Sequence, residues 1–147
     1  MGKAKVTRRI ESPAKLVWES LSWFGMEVLA GGSLFSRVDF HESQLRPGIT
    51  KTLHVNDGLP LCERLEWINE SDMTYGYRVV DTGSLPVTDY QGRVRVTPAG
   101  PDACNVIISS TFSGVGISDT EWSEMWIEIE QSLLTAVECH IAGSEVA

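Results

Sequence analysis

The stretch that decides the fold is Ser118 to His140, SDTEWSEMWIEIEQSLLTAVECH. At 100° per residue, Trp122, Met125, Trp126, Ile129, Leu133, Ala136, Val137 and His140 fall on one side, and Glu121, Glu124, Glu128, Gln131 and Glu138 fall away from it. That pattern predicts one amphipathic helix. Its start is signalled by Ser118 followed three residues on by Glu121, a capping box, with Asp119 placing negative charge at the positive end of the helix dipole. A stop is expected near Gly143. At 1.5 Å per residue the helix would be roughly 34 Å long, and such a helix needs a sheet to lie against.

The sheet is sought upstream. Ala4 to Glu11 alternates around Val6 and Ile10, a first strand. Ser12-Pro13 opens a short helix, with Ser12 as N-cap, Pro13 at its first position and Leu16, Val17, Trp18 and Leu21 inside it. Trp23 to Leu29 is read as a second short helix ending at Ala30-Gly31-Gly32. Six strands are then expected: Ser33 to Phe40, Ile49 to Val55, Leu61 to Ile68, Thr74 to Val80, Thr88 to Thr97 and Cys104 to Phe112. Turn residues separate them, among them Arg46-Pro47-Gly48 and Asn56-Asp57-Gly58. The order is β-αα-β6-α, an α+β class, and the short connections make the seven-stranded sheet antiparallel.

Composition bounds the function. The 147 residues make one domain of ordinary size, residues 1–147, with 42% apolar and 22% charged residues. Twenty acids against 12 bases give a net charge of -8, which argues against nucleic acid as a partner. The three cysteines, Cys62, Cys104 and Cys139, form no CxxC pair, so a reduced, cytoplasmic protein is expected. Neither a signal peptide nor a membrane span is read. His41, His54 and His140 lack metal-ligand spacing, so no metal is expected, and no G-x-S-x-G or phosphate-binding loop occurs. A homodimer is left open.

A bent sheet around one helix leaves a hollow unless its inward side chains are large. On the sixth strand Tyr90, Gly92, Val94 and Val96 share a face, leaving Arg93 and Arg95 outside. On the last, Cys104, Val106, Ile108, Ser110 and Phe112 do. Gly92 and Ser110 are expected to leave room for a cavity.

Several runs resemble the START/Bet v1-like superfamily, and within it the polyketide cyclase/dehydrase-like group. They are Ile10-Glu11-Ser12-Pro13-Ala14-Lys15-Leu16-Val17-Trp18, Gly58-Leu59-Pro60 with Glu63-Arg64-Leu65, Asp89-Tyr90 leading into Val94-Arg95-Val96-Thr97-Pro98, and the late helix. The resemblance implies a helix-grip fold, in which the curved sheet grasps the C-terminal helix and encloses a pocket for a small hydrophobic or amphipathic molecule. It also implies either a cofactor-free cyclase or dehydratase of polyketide-like substrates or a non-catalytic carrier or sensor. Gly58-Leu59-Pro60, Glu63 and Tyr90 are similar to positions of plant abscisic acid receptors, whose loop gates the pocket. The next loop here, Gly83-Ser84-Leu85-Pro86, lacks the His-Arg-Leu latch of those receptors, and no lysine stands near Gly32 to Leu34.

Within such a pocket Glu63 is the candidate acid/base. It shares a strand face with Leu61, Leu65 and Trp67, and an apolar surround would raise its pKa toward the working range. The competing reading is a carboxylate in solvent or paired with a base. Tyr90 and Tyr77 are the candidates to hold a ligand carbonyl, or else packed phenols with satisfied hydroxyls. Lys51 alternates with Leu53 and Val55; it either pairs with Glu63 or is a solvated lysine at the pocket mouth. The expected lining adds Leu59 and Pro60 from the first loop, Leu85 from the second, and Val79, Val94, Ile108 and Ser110 from the sheet. From the helix it adds Trp122, Met125, Trp126 and Ile129, which could equally be plain core.

Overall fold

A computed structural model describes residues 1–146, with side chains through residue 143. The chain runs β1 (Gly2–Ile10), α1 (Ala14–Leu21), a 3-10 helix (Gly25–Leu29), β2 (Phe35–Phe40), β3 (Thr50–Val55), β4 (Leu61–Asn69), β5 (Thr74–Asp81), β6 (Val87–Pro98), β7 (Cys104–Gly114) and α2 (Asp119–Val146). All seven strands form one antiparallel sheet in the order β1-β7-β6-β5-β4-β3-β2. The first strand therefore pairs with the last, and α2 lies along β1 and β7 with α1 at its side. This is the expected helix-grip architecture. Among the described residues no helix is long and apolar enough to cross a membrane.

Strand alternation explains most of the core. Val94 and Val96 on β6 and Val106, Ile108 and Phe112 on β7 turn inward and are buried together with Leu21, Trp23, Leu65, Leu134 and Val137. The register shifts at four places, and two of them re-aim residues expected at the site. On β6 the register shifts between Thr88 and Gln91, where Asp89 takes φ 53°, so Val87 and Tyr90 both face in. On β4 it shifts between Leu65 and Trp67. Trp67 is consequently turned to the convex face, 39% exposed, with its ring over Gly76 and the Arg93 guanidinium 5.3 Å from the ring centre.

The helix signals hold with three changes. Ser118 Oγ accepts from the Glu121 backbone N–H at 3.0 Å and donates to the Glu121 carboxylate at 3.2 Å. Gly143 does not end α2, because it keeps a helical φ and the helix continues to Val146. Pro13, not Ser12, caps α1, its carbonyl accepting from Leu16 and Val17. The second short helix is a single 3-10 stretch. The buried stripe of α2 also differs from the expected one: Trp122 and Trp126 are joined by Glu130, Leu134, Val137 and Ile141, while Met125 is 45% exposed. The helix is rotated about its axis away from Met125 and toward Glu130.

Candidate functional site

A cavity of about 350 Å³ lies between the concave face of the sheet and α2, within the size range of small-molecule sites. Leu53 and Val55 come from β3, Leu61 and Glu63 from β4, Tyr75, Tyr77 and Val79 from β5, and Tyr90 and Val94 from β6. Trp122, Trp126, Ile129, Glu130 and Leu133 close it from the helix, and Leu21, Met26 and the Ser33–Phe35 segment from the side.

The loops carrying Leu59 and Leu85 also line the cavity and meet each other. Leu59 N–H donates to Ser84 Oγ at 2.9 Å. A side chain at Gly83 would come within 2.7 Å of the Leu59 and Pro60 carbonyls, and Gly83 takes φ 58°, so glycine is what lets the two loops touch.

Of the residues expected from sequence, Glu63, Tyr77, Tyr90, Leu53, Val55, Leu59, Val79, Leu85, Val94, Trp122, Trp126 and Ile129 are on the wall. Others are not. Leu65 and Ile108 are core, Pro60 stands beside the mouth, Met125 faces out because of the helix rotation, and Trp67 is on the opposite face because of the β4 bulge. Ser110 is buried without a hydrogen-bond partner among the described residues and is off the wall. The room left by Gly92 is not empty either: a side chain there would strike the Tyr77 ring at 2.2 Å, so the phenol occupies the glycine's space.

An aromatic row spans the sheet side. Tyr75 and Tyr77 have ring centres 6.1 Å apart, Tyr77 and Tyr90 6.3 Å, and Tyr90 and Trp122 6.2 Å. Tyr75 donates to the Leu21 carbonyl at 3.0 Å. Tyr90 O accepts from Trp126 Nε1–H at 2.7 Å, which leaves the Tyr90 proton available as a donor. Burial holds all three phenols well above their ordinary pKa, so they act as neutral hydroxyls.

Lys51 is fully buried, which settles the choice between paired and solvated. Its Nζ donates to the Trp23 carbonyl at 3.0 Å, lies 4.0 Å from the centre of the Trp23 ring and stands 3.9 Å from Glu63 Oε1. Burial lowers its pKa to about 8 against the opposing pull of Glu63. It is not on the cavity wall. Glu63, with 12% of its side chain exposed, turns toward the cavity from Lys51, and burial raises its pKa while the ammonium holds it down.

Sequence reasoning missed Glu130. It is 7% exposed on the cavity wall, and burial, with the Glu63 charge second, raises its carboxyl to about 8. The available signal was spacing, since Trp122, Trp126 and Glu130 step by four along one helix face. The histidines lie away from the cavity lining, His54 pairing with Asp39 at 2.7 Å.

The family model described as polyketide cyclase / dehydrase and lipid transport matches residues 1–140. No curated protein matches the chain. Among solved structures, the protein XoxI from Bacillus cereus is similar at 24% identity and TM-score 0.83, with 99% of each chain covered. A Thermobifida fusca protein is similar at 19% identity and TM-score 0.79, covering 94% of this chain and 91% of that one. Norcoclaurine synthase from Thalictrum flavum, solved in complex with dopamine and hydroxybenzaldehyde, is similar at 16% identity and TM-score 0.71, covering 96% and 86%.

Proposed function

Because the chain belongs to the polyketide cyclase/dehydrase and lipid transport family, we propose that residues 1–147 act as one ligand-binding domain that takes a small, largely apolar, oxygen-bearing molecule and cyclises or dehydrates it without a cofactor. The observation that carries this reading is a carboxylate on the wall of an apolar cavity, backed by a buried ammonium at 3.9 Å. The Lys51 charge keeps Glu63 from becoming a permanently protonated acid, and burial keeps it a stronger base than a carboxylate in water.

In the proposed chemistry Glu63 takes a proton from the carbon next to a ligand carbonyl. The carbonyl oxygen gains the enolate charge and is met by the Tyr90 or Tyr77 hydroxyl. In a dehydration the electron pair then expels a β-hydroxyl, and the Glu63 carboxyl returns its proton to that oxygen, which leaves as water. In an aldol-type cyclisation the enolate carbon attacks a second carbonyl of the same molecule, and the proton goes to the new alkoxide. Wall shape fixes the geometry, and closure of the Leu59 and Leu85 loops excludes water.

A thermal-shift panel of polyketide-like aromatics, terpenoids, fatty acids and flavonoids tests binding, since a ligand at a hundred times its Kd adds about 2.7 kcal/mol of stability. The bound compound is then incubated with wild type and with Glu63→Gln, and the products are read by mass spectrometry. Glutamine should keep affinity within about tenfold, roughly 1.4 kcal/mol, and abolish turnover. Equal turnover by both proteins would remove Glu63 from the chemistry.

The contact between the two mouth loops supports a second reading, a carrier or sensor that closes over its ligand and presents the closed loops to a partner. It predicts binding with no product from any bound compound. For either role a cytoplasmic setting fits the three free cysteines.

A further inference from the structure

Glu130 takes no part in the proton transfer above, yet its carboxyl is buried on the cavity wall and has no hydrogen bond or ion pair with a described residue. The groups that face it are Glu63 from β4, Tyr75 and Tyr77 from β5, Tyr90 from β6, and Trp126 one turn back on its own helix. Its charge is felt by all three phenols. Two carboxyls thus share the cavity with a single ammonium, and that ammonium is off the wall and already engaged by Trp23 and Glu63.

We propose that the molecule this cavity accepts carries a basic amine, seated against the Glu130 carboxylate within the aromatic wall of Tyr75, Tyr77, Tyr90 and Trp126. An ammonium supplies what the site lacks: a counter-charge for the second carboxyl, donors for its oxygens and a cation for ring faces. A ligand carboxylate would be desolvated near the Glu63 charge with no unengaged cation among the described wall residues to meet it, so it is disfavoured. A neutral alcohol of the same shape gains one ordinary hydrogen bond. The inference rests on the cavity being a ligand site and adds a nitrogen to the oxygen-bearing molecule proposed above.

Binding is linked to a proton. In the empty protein the Glu130 carboxyl, raised to about 8, is protonated at pH 7. An amine that arrives already charged displaces that proton to solvent.

The test uses three probes of one shape, 2-phenylethylamine, 2-phenylethanol and 3-phenylpropionate, titrated calorimetrically into wild type, Glu130→Gln and Glu63→Gln, with Nile red as a neutral reporter of the cavity. In wild type the amine should bind at least about tenfold tighter than the alcohol, with the carboxylate weakest. Phosphate and Tris buffers at pH 7 should show close to one proton released per amine bound. Glu130→Gln should lose both the preference and the proton release, and Glu63→Gln should keep the preference. An alcohol or carboxylate that matches the amine on wild type overturns the proposal, as does a preference that survives Glu130→Gln. Nile red binding that no probe displaces overturns the amine while the cavity stands. If wild type binds neither Nile red nor any probe, the ligand-site reading falls and the amine with it.

Discussion

Replacing Glu130 by glutamine should stabilise the empty protein, and the gain should depend on pH. The wild-type carboxyl, buried on the cavity wall, is raised from 4.5 to about 8. Between those values the folded state binds a proton that the unfolded chain has lost, so stability falls as pH rises through the window. At about 1.36 kcal/mol per tenfold change in proton affinity, the full loss is about 5 kcal/mol above pH 8. At pH 7 it is about 3 kcal/mol, and at pH 5 it is below about 1 kcal/mol. Glutamine fills the same volume, does not titrate and breaks no bond, since Glu130 makes none with a described residue. Lys51, lowered to about 8, has the opposite slope, stability rising with pH above 8, but it is present in both proteins and cancels in the difference. Urea unfolding of both proteins at pH 5, 7 and 8.5 measures that difference. A gap that stays constant from pH 5 to 8.5 would refute the reasoning, because it would mean that Glu130 titrates alike folded and unfolded.

Lys51→Met should cost about 3–5 kcal/mol at pH 7, because Glu63 loses its buried partner and must take up a proton for the chain to fold; the loss in urea unfolding should shrink at low pH, where the unfolded chain carries that proton too. Gly92→Ala places a carbon within 2.2 Å of the Tyr77 ring, so it should cost about 1–3 kcal/mol and push the phenol into the cavity, lowering Nile red affinity alongside the melting temperature. Ser118→Ala removes the hydroxyl that accepts from Glu121 N–H and should cost about 1 kcal/mol, visible as a melting temperature lower by roughly 2–4 °C with ligand affinity unchanged.

Chain order, strand count and the long helix were legible because each rests on local periodicity and turn chemistry. Membership of the cavity wall was legible only where the alternation ran unbroken. Leu61, Glu63 and Leu65 alternate inward, and nothing in the spelling of β4 says that Glu66 is an extra residue that reverses Trp67. The partial clue sits on another strand, at Gly76, the seat under the Trp67 ring. Gly92 misled in the same way, since a glycine opposite an aromatic residue marks a filled space as readily as a free one. Glu130 was invisible to a search for apolar stripes, because a charged side chain on a buried face is the feature such a search discards. Lys51 was ambiguous because its burial depends on Trp23 and Met26, which sit in a segment far from it in sequence.

The pairing of β1 with β7 sets a timetable for synthesis. Ile10 pairs with Cys104, and Arg8 reaches across to Glu138 at 2.6 Å and Thr135 at 3.1 Å. At 5–20 residues per second the ribosome needs about 5–20 s to make the strand that β1 awaits. During that interval Val6 and Ile10 have no sheet to join, and a second unpaired strand would have to meet the charges of Lys3, Lys5, Arg8 and Arg9. Those four cations therefore set charge repulsion against edge-to-edge pairing of β1 until β7 is made.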